Sequence, residues 1–243
     1  MRRACLAAIL VLPSFALAGP LEDLARVVGA YVNAPSYFGK FEIEATKAEG
    51  GRIRTWRVKG EMAYSAPNKF MLRMEDPVGG FVVACDGERV VSYIWPHEEY
   101  RVDPAPRSLK DFKADPLLGL PARGPLVWQF LCARGTKAVL GDVRSVREFE
   151  QDGLTVFVAA TELRGKKGRA IGRFTFKVGR RDGLIREILA EISVTGKGGE
   201  VTAYVVREIH RRPAMGGKVD ERLFRFRPPK GARKVTAFSP PLP

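Results

Sequence analysis

The chain has 243 residues, 45% hydrophobic and 28% charged, with 41 Lys and Arg against 27 Asp and Glu for a formal net charge of +14. This composition is globular, neither disordered nor collagen-like, and the length suffices for a real core. Only two histidines (His97, His210) and three cysteines (Cys5, Cys85, Cys132) occur, which excludes a zinc-finger protein and disfavours a histidine-based metal or hydrolase site.

The N-terminus sets the expected compartment. Arg2 and Arg3 precede an uncharged stretch from Ala4 to Ala18. That is the length of a signal-peptide core and too short to span a bilayer. Pro13 breaks a helix there. Ala16-Leu17-Ala18 is a small-x-small cleavage site, so residues 1–18 are expected to be removed and a soluble, exported chain to begin at Gly19. An uncleaved anchor is the alternative, and Arg2-Arg3 alone is weak evidence for a twin-arginine signal. Cys5 lies at the wrong end for lipid attachment, and no cysteine marks the cleavage point. In an oxidising compartment Cys85 and Cys132 can form a disulfide, or they can remain two buried thiols.

Leu21, Leu24, Val27, Val28 and Tyr31 fall at helical spacing, with Glu22 and Asp23 in the first turn, so Pro20 to Asn33 is predicted helical. Pro35 stops it. Alternation then dominates. Phe41, Ile43 and Ala45 form one face. After Glu49-Gly50-Gly51 come Trp56, Val58, Gly60, Met62 and Tyr64; after Pro67-Asn68 come Phe70, Leu72 and Met74; after Pro77 to Gly80 come Phe81, Val83 and Cys85. Asp86-Gly87 is a hairpin signal leading to Val91, Tyr93 and Trp95. Pro96 to Glu98 turns into Tyr100 and Val102.

Between Pro104 and Arg134 the alternation stops, and Leu126 to Ala133 is helix-like. This crossover is the element expected to lie over the sheet's apolar face. Strands resume near Ala138. Turns at Asp152-Gly153, Asp182-Gly183 and Lys197-Gly198-Gly199 separate faces at Phe174, Phe176, Val178, then Leu184, Ile188, Ala190, Ile192, Val194, then Val201, Ala203, Val205, Ile209. The fold class is α+β, mainly β: about ten strands in one curved antiparallel sheet with one dry and one wet face, covered by a few helices. No low-complexity linker interrupts it, so residues 19–243 are expected to be a single domain.

Motifs for chemistry are absent. There is no G-x-S-x-G, H-E-x-x-H, C-x-x-C, P-loop or dinucleotide fingerprint. His97 sits in a turn, and His210 precedes Arg211-Arg212-Pro213 and is expected at the surface. No catalytic residue, cofactor or metal is expected. Basic clusters at Arg164, Lys166, Lys167 and Arg169, at Arg207, Arg211 and Arg212, and at Lys230, Arg233 and Lys234 are solvated faces or surfaces for lipid head groups or an acidic partner. Export argues against nucleic acid.

Several stretches together resemble the periplasmic outer-membrane lipoprotein carrier (LolA-like) superfamily. They are Tyr37-Phe38-Gly39-Lys40-Phe41 after the helix, Pro67-Asn68-Lys69-Phe70-Met71-Leu72-Arg73, the hairpin Asp86-Gly87 with Val91, Tyr93, Pro96 and Tyr100, and Phe224-Arg225-Phe226-Arg227-Pro228-Pro229-Lys230-Gly231-Ala232-Arg233. The stretch Tyr100 to Phe112 looks closest to an uncharacterised predicted-periplasmic branch. The basic C-terminal half and the middle of the chain depart from the pattern. The resemblance implies an incomplete barrel closed by helices around a hydrophobic cavity for lipid or lipoprotein acyl chains. Its partners would be an inner-membrane transporter and an outer-membrane acceptor, and a monomer is expected. The residues expected to line the cavity are Phe41, Ile43, Trp56, Val58, Phe70, Leu72, Phe81, Val83, Tyr93 and Trp95, with Trp128 and Phe130 on the covering segment. Ordinary core packing is the alternative for each. A binding or sensor module of an envelope pathway, and an enzyme acting on an apolar substrate, are the competing functions.

Overall fold

The structure, a computed structural model, describes residues 19–77, 79–113, 124–165 and 168–239. The expected signal segment with its cleavage site and Cys5, the middle of the crossover, Lys166 and Lys167 lie outside the described residues.

Helix α1 (Pro20–Val32) starts with proline in its first turn and with Glu22 and Asp23 near the positive end of its dipole. It buries Leu24, Val28, Tyr31 and Val32, and Asn33 closes it by donating from Nδ2 to the Gly29 carbonyl at 3.0 Å. Then come β1 (Ser36–Glu49), β2 (Arg52–Ser65), β3 (Lys69–Asp76), β4 (Gly79–Cys85), β5 (Arg89–Ile94) and β6 (Glu99–Pro104). Two short helices, α2 (Leu126–Cys132) and α3 (Thr136–Leu140), precede β7 (Val143–Gln151), β8 (Leu154–Gly165), β9 (Gly168–Gly179), β10 (Ile185–Gly196) and β11 (Val201–Met215). The two-residue β12 (Arg233–Lys234) ends the described elements.

All twelve strands form one open sheet in the order β12-β6-β5-β4-β3-β2-β1-β11-β10-β9-β8-β7. Pairing is antiparallel except for β12 on β6. The sheet is two meanders, β1–β6 and β7–β11, joined where β1 pairs β11. Strands β6 and β7 therefore lie towards opposite edges. In the described part of the connection between them, α2 packs against α1 and the inner residues of one sheet face. The expected mainly-β incomplete barrel with a helical cover is the observed architecture.

Turn and strand positions mostly follow the sequence, although strands resume at Val143 and Ala138 lies in α3; facing residues differ in three places. On β5 the expected inward set Val91, Tyr93 and Trp95 has the wrong parity: the register Cys85↔Val90 and Phe81↔Ile94 sends Val90 and Ile94 into the main core. On β11 the inward residues are Val206, Glu208 and His210, not Val205 and Ile209, so His210 is buried rather than superficial. The second sheet face is also not uniformly wet. Met71, Val82, Ala84 and Tyr93 bury against Phe224, Leu223 and Phe226, because the C-terminal segment folds back over β3–β5. The unbroken apolar run Phe81 to Cys85 is what a strand covered on both faces requires.

Gly60 has a specific cause. It faces Phe41 in the β1–β2 register, and a Cβ there would come within 2.5 Å of the Phe41 ring and 2.2 Å of the Arg73 carbonyl oxygen. Glycine lets the ring lie across the strand.

Candidate functional site

The site is an apolar cavity between the inner face of β8–β9 and the crossover. Cross-strand pairing sets its floor. Ala159 on β8 faces Phe174 on β9, and Phe157 faces Phe176. The crossover supplies the roof, with Phe112 before the undescribed stretch, Trp128 and Phe130 on α2, and Val139 and Leu140 on α3. Small side chains at Ala133, Ala138 and Ala159 leave room between the aromatic walls. The resulting space is about 950 Å³, within the range typical of small-molecule sites. Its polar lining consists of Lys113, Gln129 and Thr161.

The walls are braced by aromatic contacts. Phe70 meets Phe112 at 4.7 Å and Trp128 at 5.9 Å between ring centroids, and Phe130 meets Tyr31 at 6.4 Å and Phe176 at 6.3 Å. Such offset and edge-on pairs are favourable beyond their buried area.

A buried polar cluster holds the roof down. Glu208 on β11 accepts hydrogen bonds from the Leu126 and Val127 backbone N–H groups at 2.6 and 3.3 Å. These are two of the donors a helix start leaves unpaired, and a carboxylate also suits the local dipole. His210 Nε2 lies 2.7 Å from the same carboxylate. Its Nδ1 lies 3.3 Å from the Tyr37 hydroxyl. Burial pushes the Tyr37 hydroxyl well above the usual phenol range, so it stays a donor. The neighbouring Tyr31 hydroxyl, raised by burial as well, accepts from the Ile185 backbone N–H at 2.8 Å.

Inward-facing side chains lose cover toward one end of the sheet. On β8 burial falls from Phe157 and Ala159 through Thr161 to exposed Leu163; on β10 it falls from Ile188 and Ala190 to Ile192 and Val194; on β2 it falls from Val58 to exposed Arg54. The cavity is therefore continuous with an uncovered trough running toward the turns that link β1 to β2, β8 to β9 and β10 to β11.

Of the expected cavity residues, Trp128 and Phe130 line this space. Phe41, Ile43, Val58, Phe70, Leu72, Phe81 and Val83 sit in the same core cluster, with Trp56 half-buried against it. Tyr93 lies on the opposite face, and Trp95 touches both clusters. Of the two alternatives for Cys85 and Cys132, a bridge or two separate thiols, the structure has the second. Cys85 and Cys132 are free thiols, the first in the β4 core and the second at the cavity wall. Burial pushes the Cys132 thiol up to about 12, so it is a protonated apolar wall atom. Alternation missed Glu208 and His210 because it assigns charged residues to the wet face. The signal available was Glu208 and His210 sharing one parity with apolar Val206.

Among the described residues no group of three or more His, Cys, Asp or Glu side chains converges as a metal site would, and no helix is long and apolar enough to cross a membrane.

No family model and no curated protein matches the chain. Solved structures do. A DUF1329 family protein from Desulfovibrio piger is 9% identical with TM-score 0.35, over 84% of this chain and 95% of that one. A domain named for outer membrane lipoprotein sorting, from Vibrio parahaemolyticus, is 8% identical with TM-score 0.33, over 83% and 94%. A LolA superfamily protein from Nitrosomonas europaea is 10% identical with TM-score 0.31, over 83% and 97%. The chain is similar to all three to this extent.

Proposed function

We propose that this chain is a periplasmic carrier that holds acyl chains of a lipid or lipoprotein in the cavity under α2 and α3. The observation that carries the reading is the cavity itself: about 950 Å³, walled by aromatic and aliphatic side chains, and opening along the sheet. Burying a methylene is worth roughly 0.8 kcal/mol. An acyl chain would thus be held by many small increments with no specific anchor. The α3 half of the roof has no buried residue, so it can open by separating few contacts while α2 stays tied to the sheet through Glu208. The motif resemblance to acyl-chain carriers points the same way. In this reading residues 19–243 act as one unit, an inner-membrane transporter and an outer-membrane acceptor are its transient partners, and the chain works as a monomer without turnover.

The test is mass spectrometry of organic extracts from the protein purified natively from a periplasmic fraction. Stoichiometric phospholipid or lipidated peptide is the expected result. A ligand-free protein that also fails to bind a fluorescent fatty acid would overturn the reading and favour a protein-binding module.

A further inference from the structure

We infer that the uncovered end of the sheet is a docking surface for an anionic lipid bilayer. The register places the ends of six adjacent strands there: Glu49 faces Arg52 and Thr202, and Gly168 faces Gly165 and Gly196. Seven large apolar side chains are exposed among the described residues, and five lie within five residues of these strand ends. Ile53 is 73% exposed, and Leu163, Ile171, Val201 and Val205 are each between 45% and 52%. Scattered exposed apolar residues need no explanation, but a cluster marks an interaction site.

Two further observations choose the partner. The outer face is zipped by ion pairs away from this end, with Arg211 on Glu42, Arg57 on Glu44, and Arg207 and Lys177 on Glu187. Toward the end the ladder gives way to Thr46, Thr55, Ala48, Ala203 and Ser193 beside Ile53 and Ile171. The charges that remain are biased. Among the described residues three acids stand there, Glu49, Glu162 and Glu200, of which Glu49 pairs with Lys47 and faces Arg52, and Glu162 pairs with Arg169; against them stand five cations, Lys47, Arg52, Arg54, Arg169 and Lys197. Apolar side chains flanked by an excess of cations match an interface of acyl chains beneath anionic head groups. The trough from the cavity leads to this same end, so a docked molecule would present its opening to the bilayer.

The experiment is co-sedimentation of the purified protein with phosphatidylcholine vesicles, with and without about one-third phosphatidylglycerol, at low and at physiological salt. The account expects salt-sensitive association with the anionic vesicles. It expects at least about tenfold weaker association for Arg52→Glu with Arg54→Glu, and for Ile53→Ser with Val201→Ser. Arg227→Glu with Lys230→Glu, exposed on the C-terminal segment at the far edge, controls for net charge and should change association less than about threefold. The cavity-filling Ala159→Phe should dock normally, which separates this surface from the carrier reading. No association with anionic vesicles would overturn the inference and leave the patch to a protein partner. Equal losses from the rim and distal pairs, or none from the rim pairs, would overturn it too.

Discussion

Glu208 is the residue through which the cavity roof is tied to the sheet. Its carboxylate is almost wholly buried and serves two backbone donors of α2 and the His210 ring. Removing it leaves those buried donors unsatisfied, which costs far more than a lost surface pair. Glu208→Ala is expected to destabilise the protein by about 3 kcal/mol, lowering the melting midpoint by roughly 6–12 °C. Glu208→Gln, which keeps an acceptor, should lose less. Thermal unfolding followed by circular dichroism checks both. Equal midpoints for all three proteins would show that the cluster does not hold the roof.

Glu99 on β6 plays a comparable part near one edge of the sheet. It accepts from the Ser239 backbone N–H at 2.8 Å and its hydroxyl at 2.7 Å, and it pairs with Arg233. The Ser239 N–H, then its hydroxyl and the Arg233 guanidinium, hold the carboxyl below the usual range despite burial. A depressed folded-state value means the stabilisation is present above the ordinary carboxylate range and is lost as pH falls through the lower, folded one. Urea unfolding should therefore show wild type more stable than Glu99→Gln at about pH 6, with the gap narrowing as pH falls below the ordinary carboxylate range. A gap independent of pH would contradict this.

At the scale of elements, the C-terminal segment and the β5 and β11 strands show where sequence patterning stops being informative. Helix α1, the glycine-marked turns and the strand positions were legible because each rests on local chemistry: a proline start, a positive-φ glycine, an alternating face. Parity on β5 was not, since a hairpin's register, not its composition, decides which of two apolar sets points inward. Nor was the second apolar layer, because it depends on a segment more than a hundred residues away in sequence. Phe224 is the plug of that layer and is fully buried. Phe224→Ala should cost about 3–5 kcal/mol, seen as a lower urea midpoint with an unchanged slope. A loss below about 1 kcal/mol would mean the segment is not a structural cover.

On the whole-molecule scale, the fold is a long sheet with too little cover, and the shortfall is the cavity. The family resemblance implied a cavity, whereas its place was not legible, since that follows from β1 pairing β11, which puts β6 and β7 towards opposite edges. Most of the aromatic residues singled out by alternation became packed core. The space formed where Ala159 and Ala138 provide no bulk. That contrast gives the most direct test. Titration with a fluorescent fatty acid should show saturable binding by wild type and at least about tenfold weaker binding by Ala159→Phe, with unfolding free energies within about 1 kcal/mol of each other. Wild-type protein that does not bind, or a filled-cavity variant that binds equally well, would contradict the carrier account.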